Sequence, residues 1–268
     1  MIPAPAELRD VACQLAREAG AILREGYGAT HQPELKGRID LVTEYDRRSE
    51  RLLLDALAQR FPDHAVLAEE SGARPVAGAR VRWVVDPLDG TTNFAHNYPF
   101  FCVSIGVEVD GALAAAAVFD PVRDELFAAA RGEGATLNGA AIRVSAIPRL
   151  DQALIVTGFP YDVREHPERS VPLFQAFLVR AQGVRRDGSA ALNLCYLACG
   201  RFDGFWEGHL SAWDMAAGTL IVREAGGRVT NYAGGEFALD ARQILASNGR
   251  LHDEMQSVLA EARAPLQG

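Results

Sequence analysis

Cysteine is scarce in this sequence, and its spacing excludes a common type of metal site. Four cysteines occur among 268 residues, and none forms the C-x-x-C pair of a structural zinc site. Cys195 and Cys199 are four positions apart in an apolar segment with helical spacing, a pattern that favours buried free thiols. Free thiols are typical of proteins from a reducing compartment, so we expect a cytoplasmic location.

Long apolar runs and an excess of basic residues are also lacking. The longest uninterrupted apolar run, 112–119, is too short to span a bilayer as a helix. The first residues, MIPAPAELRD, lack the basic and apolar regions of a signal peptide. A net charge of −8 argues against direct nucleic-acid binding. It does not exclude an anionic substrate, because bound metal ions can invert the sign of the local field.

Helical and strand patterns are both present. The length and the 49% hydrophobic content suit one large α/β domain or two interlocked halves. Residues 7–27 and 43–62 have helical spacing, and 65–68 and 81–85 are short apolar strands. Residues 103–130 predict a strand meander with an Asp110-Gly111 turn, and Asn138-Gly139 marks another turn. After residue 148, strands alternate with helices. We expect a mixed α/β fold with halves 1–148 and 149–268 and two sheets in one compact body.

The segment WVVDPLDGTTNF, residues 83–94, is the most informative for function. An apolar strand leads into Asp86, Pro87 removes an amide donor, and Asp89 follows three residues after Asp86. Two carboxylates held this close repel each other unless a cation lies between them, and hard oxygen ligands suit Mg²⁺. The alternative is a turn whose aspartates cap a helix that begins near Thr91.

Three further acidic positions bear on this choice. Glu69 and Glu70 follow the strand 65–68, Asp46 lies near the start of the second helix, and Asp214 precedes an apolar helical run. Each position has a simpler interpretation: solvated loop residues, a capping box with Thr43, and an acid in a first helical turn, respectively. A local structural role is a reasonable explanation for each of these acids taken singly. It is a less convincing explanation for the presence of all of them in one chain.

Four motifs around these positions resemble, in the same order, those of the inositol monophosphatase family. They are LVTEYD (41–46), AEES (68–71), DPLDGT (86–91) and WDMAAG (213–218). The resemblance covers the chain from Lys36, which matches a family lysine near a mobile metal-binding loop, to the last helix. It implies a layered α/β/α/β/α sandwich of the inositol monophosphatase and fructose-1,6-bisphosphatase type, and a homodimer.

The resemblance also implies a site with two or three Mg²⁺ ions. Glu69, Asp86 and the backbone carbonyl of Leu88 would hold one ion. Asp86, Asp89 and Asp214 would hold a second, and a third would lie near Glu69, mostly on water. Oxygen ligands of this kind are those that Mg²⁺ prefers.

Catalysis is assigned by the same resemblance to Asp46, Glu69 and Thr91. Thr91 and Asp46 would form a hydrogen-bonded pair that orients the attacking water, which a metal ion makes available as hydroxide near neutral pH. Phosphoryl transfer then needs mainly positioning and charge neutralisation, without a covalent enzyme intermediate. The amides of Gly90, Thr91 and Thr92 are natural phosphate ligands at a helix N-terminus.

Substrate choice is expected to depend on the second half. Gly188, Ser189 and Ala190 belong to a segment resembling the one that faces the sugar-like part of the substrate in the family. Glu207 matches a family carboxylate that accepts hydrogen bonds from inositol hydroxyls, although a surface acid after a strand is the simpler interpretation. Arg186 could face the same site or form a structural ion pair with Asp187.

The implied activity is Mg²⁺-dependent, Li⁺-sensitive hydrolysis of inositol 1-phosphate and related small polyol phosphates. Relatives that act on nucleotide 3′-phosphates often have lysine in the segment that begins at Thr92, which favours the inositol branch here. Histidinol phosphate, fructose 1,6-bisphosphate and adenosine 3′,5′-bisphosphate remain alternative substrates. A family member with a regulatory protein-binding role is a further alternative.

Overall fold

Two β-sheets and the helices that cover them make up most of the structure. The computed structural model describes residues 2–29, 33–35 and 41–263, so Lys36 lies outside the described residues. Within these ranges, none of the helices is both long and apolar enough to cross a membrane. The helices are α1 Pro5–Gly26, α2 Glu44–Arg60, α3 Thr91–Ala95, α4 Val171–Leu178, α5 Ala190–Ala198, α6 Ala212–Glu224 and α7 His252–Arg263.

The strands form one sheet of eight, one of five and a small pair. They are β1 Glu34–Leu35, β2 Leu41–Val42, β3 Ala65–Ala68, β4 Gly72–Arg74, β5 Val81–Asp89, β6 Cys102–Val109, β7 Ala112–Asp120, β8 Glu125–Ala130, β9 Ala135–Leu137, β10 Ala140–Ala141, β11 Leu154–Thr157, β12 Gly183–Arg185, β13 Gly204–Gly208, β14 Arg228–Thr230 and β15 Gln243–Ser247. The eight-stranded order is β10-β9-β8-β7-β6-β5-β3-β4, with β3 and β5 parallel. The five-stranded order is β12-β11-β13-β15-β14, with β11 parallel to both neighbours.

Alternation of side chains along the central strands produces the layers. On β5, Trp83 packs with α1 and α2 on one face, whereas Val84 packs with α5 and α6 on the other. On β13, Phe205 faces α5 and α6, and Trp206 faces Phe177 of α4 and the helix α7. This order of layers confirms the predicted α/β/α/β/α sandwich. The division of the chain at residue 148 stays a prediction. Helix α6, which belongs to the second predicted half, packs directly on the eight-stranded sheet of the first half.

The close fit of α6 against this sheet fixes the start of α6 near the end of β5. A Cβ atom added at Gly106 on β6 would lie 2.7 Å from the Cβ atom of Ala216. Glycine at this position therefore lets α6 approach the sheet more closely than any other residue would allow. Asp214, in the first turn of α6, is brought toward the carboxyl end of β5.

Strand β5 differs from its predicted form. We expect it to end at Val85, but it continues to Asp89, with a register shift between Asp86, opposite Ser104, and Asp89, opposite Cys102. The shift accommodates Pro87, which has no amide hydrogen for the sheet. The two carboxylates therefore lie in an irregular strand rather than in a turn that follows one.

The turn predictions are confirmed, and so is the prediction of free thiols, but of Cys195 and Cys199 only Cys195 is fully buried. Asp110 and Gly111 both have positive φ, 52° and 76°, and Asn138 and Gly139 have φ of 50° and 81°. Positive φ at both central residues is the hairpin geometry that Asn-Gly and Asp-Gly pairs favour. All four cysteines are free thiols. The five short strands β1, β2, β4, β9 and β10 are too short to have a clear sequence pattern.

Candidate metal centre and active site

Three aspartates converge at the end of β5. One carboxylate oxygen each from Asp86, Asp89 and Asp214 lies within 4.8 Å of the others. Asp86 and Asp89 are buried, and Asp214 lies in the first turn of α6, where its carboxylate accepts a 2.6 Å hydrogen bond from the Ser211 amide. Glu69, at the end of β3, lines the same cleft of 320 Å³. Oxygens this close can share a cation.

The electrostatics of the cluster favour the binding of such a cation. Burial raises the pKa of Asp86 well above its usual value, and repulsion from Glu69, Asp89 and Asp214 raises it further. Desolvation and then the charge of Asp89 likewise raise the pKa of Asp214. Ionised carboxylates in such surroundings are stable only when paired or bound to a metal. Because every ligand atom is a carboxylate oxygen, the set fits a hard divalent cation such as Mg²⁺.

Asp89 is fixed in place by donors from the second half of the chain. Its Oδ2 atom accepts hydrogen bonds from the Ser189 hydroxyl at 2.6 Å and the Ala191 amide at 2.7 Å, and the Cys102 thiol lies at 3.9 Å. These donors share Oδ2, so they do not compete with a cation on Oδ1. Ser189, predicted to face the substrate, lines the cleft but also orients this carboxylate, a role that sequence reasoning missed.

Asp46 has no solvent exposure and is fully engaged by threonine side chains and an amide. Its Oδ2 atom accepts hydrogen bonds from the amide and hydroxyl of Thr43, at 2.8 and 2.5 Å, and its Oδ1 atom accepts one from the Thr91 hydroxyl at 3.1 Å. The capping box and the pairing with Thr91 therefore exist together. The Thr91 hydroxyl also lies 3.0 Å from the carbonyl of Leu88. Its single proton can serve only one of these acceptors at a time.

The segment between β5 and α3 depends on a glycine. Gly90 has φ of 97°, and a Cβ atom there would lie 3.0 Å from the Phe100 carbonyl oxygen. Asn93 donates hydrogen bonds to the carbonyls of Phe100, at 2.7 Å, and Asp187, at 2.8 Å. This amide side chain ties the segment to the loop that precedes α5. The sequence alone contains no signal for that link.

Glu207 lies on β13 at the opposite wall of the cleft. The Glu207 side chain occupies the space beside Gly158, where no side chain is present. A Cβ atom at Gly158 would lie only 2.0 Å from a Glu207 carboxylate oxygen. Glu207 is only 8% exposed, and burial, with a contribution from the charge of Asp89, raises its pKa to about 8. The alternative of a surface acid is therefore wrong: Glu207 is a buried carboxyl group that lines the cleft, as its predicted role in substrate binding requires.

The structure brings twelve of the thirteen predicted site residues to this one cleft, and the thirteenth, Asp46, contacts the cleft residue Thr91. Arg186 also lines the cleft, whereas the backbone of Asp187 accepts the Asn93 bond. Sequence reasoning missed Glu50, whose carboxylate accepts a 2.8 Å bond from the Glu70 amide. It also missed several lining residues, among them Gly158, Tyr161, His209 and Arg242. The predicted residues that line the cleft are Glu69, Asp86, Leu88, Asp89, Gly90, Thr91, Thr92, Gly188, Ser189, Ala190, Glu207 and Asp214.

Comparison with known proteins gives a consistent result. The model of the inositol monophosphatase family matches residues 4–266. An inositol-1-monophosphatase from Synechocystis is 47% identical over 252 residues, which are 94% of this chain and 88% of that protein. The Nus factor SuhB of Escherichia coli is 40% identical over 259 residues, 96% of each chain.

A solved structure shares the fold closely. The inositol monophosphatase from Anabaena superposes with a TM-score of 0.88 at 42% identity, and the match covers 96% of each chain. The acidic cluster fits the metal dependence of this group of phosphatases. The chain is thus an enzyme of the inositol monophosphatase family.

Proposed function

We propose that this protein is a Mg²⁺-dependent phosphatase that hydrolyses inositol 1-phosphate and related small polyol phosphates to the alcohol and phosphate. The observation that carries the proposal is the convergence of three aspartates, the Asp46–Thr91 pair and Glu207 on one cleft. Metal ligands, a water-orienting pair and a polyol acceptor are the parts that such a reaction needs. The name of the Synechocystis relative supports the same substrate.

The carboxylates would hold two or three Mg²⁺ ions. Glu69, Asp86 and the Leu88 carbonyl would bind one ion, and Asp86, Asp89 and Asp214 a second, with a third near Glu69. The bound metal supplies two kinds of chemistry: it lowers the pKa of water and neutralises phosphate charge.

The protein groups position the reactants around these ions. The Thr91 hydroxyl donates to Asp46 and accepts a hydrogen bond from the attacking water, which fixes the direction of attack. The amides of Gly90, Thr91 and Thr92 donate to phosphate oxygens. Positioning of this kind can supply a large part of the rate enhancement of phosphoryl transfer.

The opposite wall would recognise the alcohol. Glu207 accepts hydrogen bonds from hydroxyl groups of the polyol. Gly188 and Ala190 have little or no side chain and leave room for the ring, and Ser189 holds Asp89 while it lines the same wall. Glu207 thus belongs to specificity rather than to the chemical step.

Phosphate release from a substrate panel tests the proposal. The panel contains inositol 1-phosphate, histidinol phosphate, fructose 1,6-bisphosphate and adenosine 3′,5′-bisphosphate, each with Mg²⁺ and with chelator. We expect preference for the inositol ester, loss of activity with chelator, and inhibition by Li⁺ but not by the same concentration of NaCl. Preference for another ester would overturn the substrate, and release without metal would overturn the mechanism.

A regulatory role through a protein partner is the second candidate, favoured by the similarity to proteins named Nus factor SuhB. Co-purification of a stoichiometric partner from cell extract would support it. A clean homodimer in extract would count against it. We also propose that the enzyme is a cytoplasmic homodimer: the free thiols support the location, and family membership supports the dimer.

A further inference from the structure

His209 lies in the connection between β13 and α6, at the rim of the active-site cleft. The strand before it carries Glu207, the proposed polyol acceptor, and the helix after it carries Asp214 of the acidic cluster. His209 is exposed and lines the cleft together with both acids. A side chain at this position is therefore placed beside the groups proposed to bind the two ends of the substrate.

The backbone conformation of His209 does not account for a histidine. Its φ of 65° lies in the left-handed region, which histidine tolerates better than most residues but which glycine occupies far more easily. Of the other described residues with positive φ, thirteen are glycine and four are Asn or Asp, with Arg242 the one exception. A histidine at this position has a conformational cost that glycine would avoid, and such a cost is typical of functional sites.

The backbone around His209 is fixed by the neighbouring strand. Gly208 pairs with Gln243 of β15, and the carbonyl of His209 accepts a 3.4 Å hydrogen bond from the Arg242 guanidinium. The Leu210 amide donates to the Arg242 carbonyl at 3.2 Å. Because the backbone is held on both sides, the imidazole is presented from a fixed position, as a binding group requires.

The imidazole of His209 is available for a ligand. Neither of its ring nitrogens forms a hydrogen bond or an ion pair within the part of the chain that the structure describes. By contrast, both ring nitrogens of the buried His252 bond to hydroxyl groups, at 2.8 and 2.9 Å, and His64 accepts a 3.1 Å bond from Trp83. Those two histidines serve the fold, whereas His209 keeps its hydrogen-bonding groups for the cleft.

A polyol hydroxyl group needs a donor as well as an acceptor. Ionised Glu207 accepts the hydroxyl proton, but a carboxylate cannot donate to the oxygen, whereas a neutral imidazole supplies one donor and one acceptor. Gly158 and Gly208, which also line the cleft, have no side chain. Arg186 lines it too, but a guanidinium suits phosphate or carboxylate better than a hydroxyl group. Two positions along a strand span about 7 Å, so Glu207 and His209 can reach hydroxyl groups of one small ring.

We propose that His209 is a further substrate-binding residue, and that its imidazole donates a hydrogen bond to a polyol hydroxyl group next to the one that Glu207 binds. The proposal rests on the phosphatase function proposed above and adds a specificity residue to it. The ligand class stays a monophosphate ester of a small polyol. Because His209 is neither a metal ligand nor part of the water-orienting pair, it contributes to KM rather than to kcat.

The test replaces His209 with glycine and compares two substrates with Mg²⁺. Inositol 1-phosphate has hydroxyl groups around its ring, and phenyl phosphate has a six-membered ring without them. We expect His209→Gly to raise KM for inositol 1-phosphate about tenfold, the size of one lost hydrogen bond, and to leave KM for phenyl phosphate unchanged. Glycine relieves the left-handed backbone, which offsets its greater freedom in the unfolded chain, so Tm should not fall.

Three results would overturn the proposal. They are an unchanged KM for inositol 1-phosphate, an equal rise in KM for both substrates, and a loss of activity accompanied by a lower Tm. The second would mean that the substitution alters the cleft without regard to hydroxyl groups, and the third that His209 serves the fold.

Two further variants separate the side chain from the backbone. Asp124→Gly makes the same change at another exposed residue with positive φ, 54°, outside the cleft, and is expected to keep both KM values. His209→Gln restores a donor and an acceptor and should recover part of the lost affinity for inositol 1-phosphate. A rise in KM in Asp124→Gly, with no recovery in His209→Gln, would assign the effect to the backbone and overturn the proposal.

Failure of the proposed function gives a different result. If the wild-type enzyme does not hydrolyse inositol 1-phosphate, calorimetric titration of this ester into wild-type and His209→Gly proteins with Mg²⁺ replaces the comparison of KM values. Binding that is about tenfold weaker in His209→Gly would support His209 as a polyol-binding residue without the proposed reaction. Equal binding by the two proteins, or no binding by wild type, would overturn the role of His209 as well.

Discussion

Two buried acids outside the active site, Asp120 and Glu108, differ in their surroundings from the acids of the metal cluster. Asp120, at the end of β7, has no solvent exposure and accepts hydrogen bonds from the Arg123 guanidinium at 2.8 Å and from two backbone amides. Glu108, on β6, is 5% exposed and pairs with Arg82 at 2.5 Å. In both cases the chain supplies the positive charge itself, as buried carboxylates usually require.

The acids of the active site lack such partners. Asp86, Asp89 and Asp214 crowd together, and among the described residues none of them forms an ion pair with lysine, arginine or histidine. Their pKa values are raised by desolvation, and those of Asp86 and Asp214 also by mutual repulsion. The comparison between the two groups of acids indicates that a metal ion supplies the positive charge that the chain does not. Without the metal ion, repulsion and desolvation of these carboxylates lower the stability of the fold.

The largest effect expected from this comparison is the loss of activity in Asp214→Asn. Removal of one metal ligand should lower kcat about 10³-fold, since metal binding contributes several kcal/mol to transition-state stabilisation. The matched change Asp120→Asn breaks a partnered acid instead and should cost about 1–3 kcal/mol of folding free energy. Phosphate release and urea unfolding of both variants measure these two effects.

The same two variants can also show that the two groups of acids do not differ in this way. Metal-free Asp214→Asn should be at least as stable as the metal-free wild-type protein, because one repelling charge is gone. A large loss of stability in Asp214→Asn, or a 10³-fold loss of activity in Asp120→Asn, would show that the two groups of acids do not differ in the way described.

The pH dependence of stability should show the next largest effect. The folded-state pKa values of Asp86 and Asp214 lie above their ordinary 3.8, so the folded metal-free protein binds more protons than the unfolded chain above that pH. Their contribution is fully present below the unfolded pKa and is lost as pH rises through the folded values. With chelator, Tm should therefore fall as pH rises above about 3.8 through the folded-state values, and more steeply in wild type than in Asp214→Asn.

Magnesium should remove this difference. A concentration one hundred times the Kd adds about 2.7 kcal/mol to the free energy of unfolding, and the gain should grow with pH because the ligands must lose protons to bind metal. Thermal unfolding at a series of pH values, with chelator or with Mg²⁺, measures it. A wild-type Tm that rises with pH in chelator relative to Asp214→Asn would contradict the assignment.

Much of the cluster could be predicted because its members are set by local sequence. Asp86 and Asp89 belong to one segment, and Glu69 follows a strand that pairs with it in parallel. Helix and turn positions were predictable for the same reason, since amphipathic spacing and Asp-Gly or Asn-Gly pairs act over a few residues. Asp46 and Asp214 lie far from this segment in the sequence. They are assigned to the same site because the four motifs occur in the same order as in the family.

The supports of the cluster could not be predicted in this way. The Ser189 hydroxyl bonds to Asp89 across 100 positions, and Asn93 bonds to the Asp187 carbonyl across 94. Such contacts depend on how α5 packs against the end of β5, for which no local pattern exists. The hydrogen bond from Arg242 to the His209 carbonyl is likewise visible only in the structure, because 33 positions separate the two residues.

Gly158→Ala tests the role of Glu207, a buried acid outside the metal cluster. The new methyl group would overlap the Glu207 carboxylate, 2.0 Å from its oxygen, and should displace this side chain. We expect about a tenfold rise in KM for inositol 1-phosphate, the size of a lost hydrogen bond, with a smaller change in kcat. Gly183→Ala on β12 is the matched control, since its methyl group meets only the Leu154 side chain, at 3.2 Å, and that of Arg185. Equal KM values in the two variants would contradict the role of Glu207.

Glu207→Gln should have the smallest effect on activity. The pH dependence of its KM distinguishes the role of Glu207 from that of the metal-binding aspartates. Burial raises the pKa of Glu207 to about 8 from its ordinary 4.5, so the metal-free wild-type side chain is mostly neutral at pH 7 and resembles glutamine. Above that pKa the wild-type carboxylate becomes a charged acceptor for polyol hydroxyls, whereas glutamine does not change.

The KM ratio of Glu207→Gln to wild type for inositol 1-phosphate should therefore rise between pH 6 and pH 9. The expected rise is about fivefold, since a charge-assisted hydrogen bond exceeds a neutral one by about 1 kcal/mol. Steady-state kinetics at saturating Mg²⁺ measure the ratio. A metal ion on Asp89 removes part of the repulsion that raises this pKa, so the midpoint should lie below that of the metal-free protein. A ratio that stays constant over this range would mean that the charge of Glu207 has no part in recognition, and that its burial serves packing against Gly158 alone.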